Sequence, residues 1–196
     1  MSAALPIPAP MSLDEFLAWD APVDAPPHAR WQLVDGDPRA MAPASPLHAG
    51  IQSEVSRLLG NHLAGNRREC RAYSNPGVML GIRSDRNYRI SDIGVTCTPL
   101  APGEPTLPHP VLLVEILSPS NPAETWINVW AYTTIPSVQE VLVIRSDAPG
   151  ALILKRKTDG TWPDVPVSIE TGDVTLDSIG LSLPLNALYA GTWLAA

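Results

Sequence analysis

Apolar residues recur along the chain at two different spacings. Between Pro46 and Ala64, Leu47, Ile51, Val55, Leu58, Leu59 and Leu63 fall on one helical face, with Pro in the first turn and Gly65 as the stop. Ser12 with Glu15 makes a capping box ahead of Leu13, Phe16 and Leu17. A short helix is therefore expected over 12–19, ended by the Pro-rich stretch Ala21 to Pro27. Trp31 to Val34 reads as a strand entering an Asp35-Gly36 turn, with Arg39 to Ala42 returning as its hairpin partner. Apolar segments over 70–74, 78–82 and 88–95 read as further strands. Val111-Leu-Leu-Val-Glu-Ile-Leu117 is apolar at nearly every position, as in a central strand covered on both faces.

A turn over 118–122 introduces a helix from Ala123 to Thr134, which closes before Pro136. Val138 to Ile144 and Leu152 to Lys157 form a hairpin across the turn Ser146 to Gly150. Strand signals follow at 165–170 and 174–176, then a short helix near 184–189. No internal repeat or second-domain boundary interrupts this order. The expected fold is α/β: a single domain over 11–196 built on a mixed β-sheet flanked by helices, with residues 1–10 as a disordered lead-in.

Composition narrows the function. The 196 residues carry 13 Lys and Arg against 20 Asp and Glu, a net charge of −7, and only 17% are charged. Such a chain is neither a disordered polyelectrolyte nor a general basic nucleic-acid binder. Two cysteines are too few for a disulfide framework and no secretory segment follows the start, so a reducing cytoplasm is expected. No run approaches a membrane span. Phosphate loops, nucleophile elbows and Gly-rich dinucleotide turns do not occur.

The chemistry concentrates on a glutamate in the wrong place. Glu115 interrupts the apolar run, and desolvating an unpaired carboxylate costs several kcal/mol. Either it is hydrogen-bonded in a structural role near the strand end, or it belongs to a metal or proton-transfer site at the strand's carboxyl end. The second reading needs a partner acid. Asp92, inside the strand-like segment Arg89-Ile-Ser-Asp-Ile-Gly-Val, lies far enough upstream for the two strands to run side by side. Two such carboxylates and a carbonyl, such as that of Ile116, form a hard oxygen set suited to Mg²⁺.

In order, Trp31-Gln-Leu-Val-Asp-Gly36, Ser45-Pro-x-His48, Asp92, Val114-Glu-Ile-Leu-Ser-Pro-Ser120 and Tyr132 resemble the Uma-type restriction endonuclease family of the PD-(D/E)XK superfamily, over about residues 11–190. The resemblance implies a nuclease core and a Mg²⁺- or Mn²⁺-dependent phosphodiester hydrolase site, with Asp92 and Glu115 as the metal-binding acids. It also implies three departures. Gln32 stands where the family has Glu, leaving an auxiliary ligand or water-orienting group, and Ser91 stands where it has Pro. The family's helix lysine falls on Asn128, which orients a water but supplies no charge. The chain's two lysines, Lys155 and Lys157, lie on a late strand. A further family acid falls on Glu124, which equally suits a helix start.

His48 reads as a capping or substrate-proximal group, and Tyr132 as a site or core residue one turn after Asn128. Trp126, Trp130 and Trp31 suit the core or an oligomer contact, so a homodimer is expected. Arg67, Arg68, Arg71, Arg83, Arg86 and Arg89 face only Glu69 and Asp85 as local opposition, a local charge of about +4. From this set Arg83, Arg86 and Arg89 are the candidate DNA contacts, and DNA binding is expected to be weak or assisted. The rival expectations are a catalytically silent binding or regulatory module on the same fold and a small-molecule hydrolase using the same pocket.

Overall fold

The central strand of the molecule is β7 (Pro110–Leu117), and its run of apolar residues divides by alternation between two cores. Leu112, Val114 and Ile116 pack with Ile51, Val55, Leu59 and Leu63 on one face, while Leu113 packs with Val129, Tyr132, Val141 and Val143 on the other. A strand covered on both sides needs apolar residues at consecutive positions. Glu115 therefore projects from the second face, into an otherwise apolar layer.

The computed structural model describes residues 10–19, 29–119 and 122–195. The lead-in up to residue 9, the stretch from Ala21 to Pro27, and Ser120 of the Val-Glu-Ile-Leu-Ser-Pro-Ser motif lie outside the described residues. The elements run α1 (Leu13–Leu17), β1 (Trp31–Val34), β2 (Asp37–Ala40), α2 (Pro46–Asn66), β3 (Arg71–Ser74), β4 (Gly77–Met79), β5 (Tyr88–Ile90), β6 (Ile93–Thr96) and then β7. They continue as α3 (Pro122–Tyr132), β8 (Glu140–Arg145), β9 (Ala151–Lys155), β10 (Val167–Ile169), β11 (Asp173–Leu176) and β12 (Leu181–Pro184).

Three sheets result: β2-β1-β5-β4, then β10-β9-β8-β7-β6-β3, and the ribbon β11-β12. The larger sheet is mixed, because β7 pairs parallel with β8 through the α3 crossover while its other ladders are antiparallel. This is the α/β fold with flanking helices expected from the pattern, divided over more than one sheet.

Local chemistry explains the ends. Ser12 and Glu15 close the expected capping box at α1, and the Asp35-Gly36 turn carries positive φ at both residues, as a tight hairpin requires. Ser45 caps α2 with Pro46 next. That helix does not stop at Gly65: the Asn66 side chain donates to the His62 carbonyl and Arg67 N–H to Leu63, so two terminal carbonyls are satisfied one turn later.

Three other expectations change. The segment 88–95 is two strands in two sheets, with Ser91 and Asp92 at the junction. The short helix near 184–189 is a 3₁₀ turn over Leu185–Tyr189, preceded by β12, a strand whose pattern was too short to read. Cys70 and Cys97 form a disulfide at the ends of the paired strands β3 and β6, although two cysteines were too few to suggest a disulfide framework from the sequence.

Candidate active site

Ile93 pairs with Val114 in the antiparallel β6–β7 ladder, so one further step of the same register sets Asp92 opposite Glu115. Neighbours across a ladder share a face, and like charges there repel. Both acids line one pocket at the carboxyl end of β7, with Arg30, Gln32, His48 and Asn128.

Asp92 is held from three directions. Its Oδ2 accepts the Ile116 N–H at 2.7 Å, and its Oδ1 lies 3.0 Å from His48 Nε2. Its backbone carbonyl accepts from Gln52 Nε2 at 2.7 Å. His48 reaches the site because Ser45 caps the helix through the His48 N–H and places the imidazole on the first turn. Gln52 follows it by four residues on the same helix face. The sequence offered a signal for Gln52 in that spacing, although only His48 was singled out.

Ser91 stands where the resemblance implies a proline, and it uses what proline lacks. Its N–H donates to Pro76, and its hydroxyl lies 2.9 Å from the Ile93 carbonyl and 3.0 Å from that of Val114. It pins the junction on which Asp92 sits.

Glu115 has one donor within the protein among the described residues, the Tyr132 hydroxyl at 2.6 Å. Burial and the neighbouring Asp92 push its carboxyl well above the usual glutamate range, against the opposing pull of that hydrogen bond. Burial, followed by the charge of Glu115, likewise pushes the Tyr132 phenol up. Tyr132 thus serves both readings made from the sequence, since it belongs to the second core and also holds the acid.

Gln32 and Asn128 complete the opposite wall. Gln32 lies on β1 and is 2% exposed. Asn128, on α3, is also buried, one turn before Tyr132. Arg89 joins them from behind, with its Nε donating to Asn128 Oδ1 at 3.0 Å and its Nη1 to the Leu33 carbonyl.

Arg89 is therefore no part of a surface rim. At 3% exposure it is internal, whereas Arg83 and Arg86 are exposed and pair with Asp35 and Asp85. Arg67 pairs with Glu69, and the guanidinium of Arg71 bonds backbone carbonyls. The charge counted along the sequence is spread over separate local pairs. Lys155 is likewise committed elsewhere, to Asp177 and Glu140.

Trp31 packs edge-on against Trp19 within the chain, and Trp126 lies against the second core. Trp130 remains partly exposed on α3.

The donor set fits a small hard cation held through two carboxylates with water completing the shell. Two acids set opposite each other, one of them almost fully desolvated, are stabilised by a positive charge between them. Among the described residues no group of three or more His, Cys, Asp and Glu side chains converges on a metal position. No described helix is long and apolar enough to cross a membrane.

The fold has a solved counterpart. A crystal structure described as a "putative nuclease belonging to DUF820" from Anabaena variabilis ATCC 29413 superposes with a TM-score of 0.73 at 19% identity, covering 92% of this chain and 98% of that one. No curated protein matches at a significant level. The family model named Uma2, described as "Putative restriction endonuclease", matches residues 13–186, and the chain belongs to that family.

Proposed function

We propose that this protein is a divalent-metal-dependent nuclease that hydrolyses phosphodiester bonds in DNA, with Asp92 and Glu115 holding Mg²⁺ or Mn²⁺. The observation that carries the reading is the placement of these acids opposite each other, Asp92 just ahead of β6 and Glu115 on β7, in the pocket shared with Gln32, His48 and Asn128. When bound, the ion supplies Lewis acidity and lowers the pKa of a coordinated water. Tyr132 keeps the Glu115 carboxylate aimed into the pocket. His48 and the Ile116 N–H fix both oxygens of Asp92. Asn128 stands in the lysine's place and orients without charge.

Exposed Arg83 and Arg86 are the proposed DNA contacts. On a chain of net charge −7 they support weak, salt-sensitive or assisted binding. A homodimer in the cytoplasm completes the proposal. In a reducing cytoplasm Cys70 and Cys97 are thiols, and the β3–β6 ladder that brings them together holds without the bond.

Neutral Gln32 and Asn128 specifically favour a second reading, a catalytically silent nuclease fold acting as a binding or regulatory module. Incubating supercoiled DNA with the protein and Mn²⁺ separates the two. Nicking that disappears in Glu115→Ala, with an unchanged circular dichroism spectrum, supports the nuclease. Failure of calorimetry to detect Mn²⁺ binding near millimolar concentration sinks it.

A further inference from the structure

The oxygens of the pocket's two amides, Gln32 and Asn128, are both taken up by protein donors. An arginine Nε–H can only donate, and it meets Asn128 Oδ1. A backbone N–H can only donate, and that of Ile90 meets Gln32 Oε1 at 3.3 Å. Asn128 Nδ2 lies 3.5 Å from the same Gln32 oxygen. The donor chemistry of the partners therefore sets the orientation of each amide. What Gln32 has left for the pocket is its Nε2, which makes no hydrogen bond to a described residue although the side chain is 2% exposed.

An amide N–H left facing a pocket calls for an acceptor there, and a cation ligand must itself be an acceptor. Both facts argue against the auxiliary-ligand role expected for Gln32. We propose that Gln32 and Asn128 form a donor wall that binds a non-bridging oxygen of a phosphodiester, with Arg89 as the positioning residue that keeps the Asn128 amide turned this way.

The inference rests on the phosphodiester reading of the pocket and assigns its halves: Asp92 and Glu115 take the cation, and the amides of β1 and α3 take the anion. Arg89 reaches the substrate only through Asn128. Its second donor, on the Leu33 carbonyl, ties the arrangement to β1.

Two affinities separate the donor wall from the ligand alternative: Mn²⁺ by calorimetry, and a fluorescent deoxyoligonucleotide by anisotropy in EDTA and again in Ca²⁺. Gln32→Met removes the donor at similar volume. It should leave Mn²⁺ affinity within about twofold and weaken oligonucleotide binding about tenfold, the loss expected for a hydrogen bond to a charged group. Gln32→Glu keeps an oxygen for Ile90 and turns a second one into the pocket. Mn²⁺ affinity should rise about tenfold or more while oligonucleotide affinity in EDTA falls. Arg89→Lys keeps the charge without the fork, and should weaken the oligonucleotide alone.

A tenfold loss of Mn²⁺ affinity in Gln32→Met would overturn the inference, as would oligonucleotide affinity unchanged in both Gln32 variants. If Gln32→Met fails to fold, the near-isosteric Gln32→Glu decides. If the wild-type protein binds no Mn²⁺, the metal-dependent function falls, and the EDTA arm still decides the donor wall.

Discussion

Two of the described glutamates are buried, and their surroundings could hardly differ more. Glu140, at the start of β8, is 2% exposed and receives the N–H groups of Asp177 and Ser178, the Ser178 hydroxyl and the Lys155 ammonium. Glu115, on the neighbouring strand β7 and the other face of the same sheet, receives one phenol and faces another acid. Both carboxylates have lost water, but only Glu140 has been given several donors in return. Burial alone therefore does not mark a functional acid. The mark is burial combined with a shortage of donors, a deficit that a cation could fill.

The contrast can be broken most directly by removing each charge in turn. Glu115→Gln should lower metal-dependent cleavage at least about a thousandfold, since the ion is asked to supply several kcal/mol of transition-state stabilisation. The variant should unfold in urea at no lower concentration than the parent in the absence of metal, because it also relieves the repulsion with Asp92. Glu140→Ala should show the reverse, a loss of about 3 kcal/mol in urea unfolding from stranded donors with metal affinity unaffected. Equal destabilisation by both changes would erase the distinction. Removing the single donor sharpens it: Tyr132→Phe should cost about 1–2 kcal/mol and weaken Mn²⁺ binding at neutral pH, because a less stabilised carboxylate holds its proton more tightly.

The smallest effect is a pH dependence. The carboxyl of Glu115 is raised in the folded protein, so above the ordinary glutamate value the folded state keeps a proton that the unfolded chain has released. The stability this confers is complete below that ordinary value and is lost as pH rises through the raised one. Metal-free wild type should therefore lose stability relative to Glu115→Gln across that window. A difference that stayed constant with pH would mean that Glu115 is ionised throughout.

How much of this was legible from residues alone depended on how local the cause was. Glu115 could be read because its own strand made it conspicuous, and Asp92 because a plausible strand spacing existed between them. The two helices with Ser caps were readable for the same local reason. Arg89 was misplaced because charges were counted along the chain, whereas its position depends on which way one residue of a three-residue strand points. Glu140 was not singled out, since its donors come from Asp177 and Ser178, brought back only by the tertiary fold. Gly65 failed as a stop because a side chain one residue later capped the carbonyls. The amide orientations were out of reach altogether, because they are set by donors from β5, a strand remote in sequence that the fold pairs with β1.

The junction at Ser91 and Asp92 has a mechanical meaning. Gln32 belongs to the small sheet and Glu115 to the large one, and β5 passes into β6 across those two residues. Among the described residues no ladder spans the two sheets, so the pocket's bite is set by the angle at a corner, as in a pair of jaws sharing one pivot. The Ser91 hydroxyl, fastened to carbonyls of β6 and β7, is the pin of that pivot.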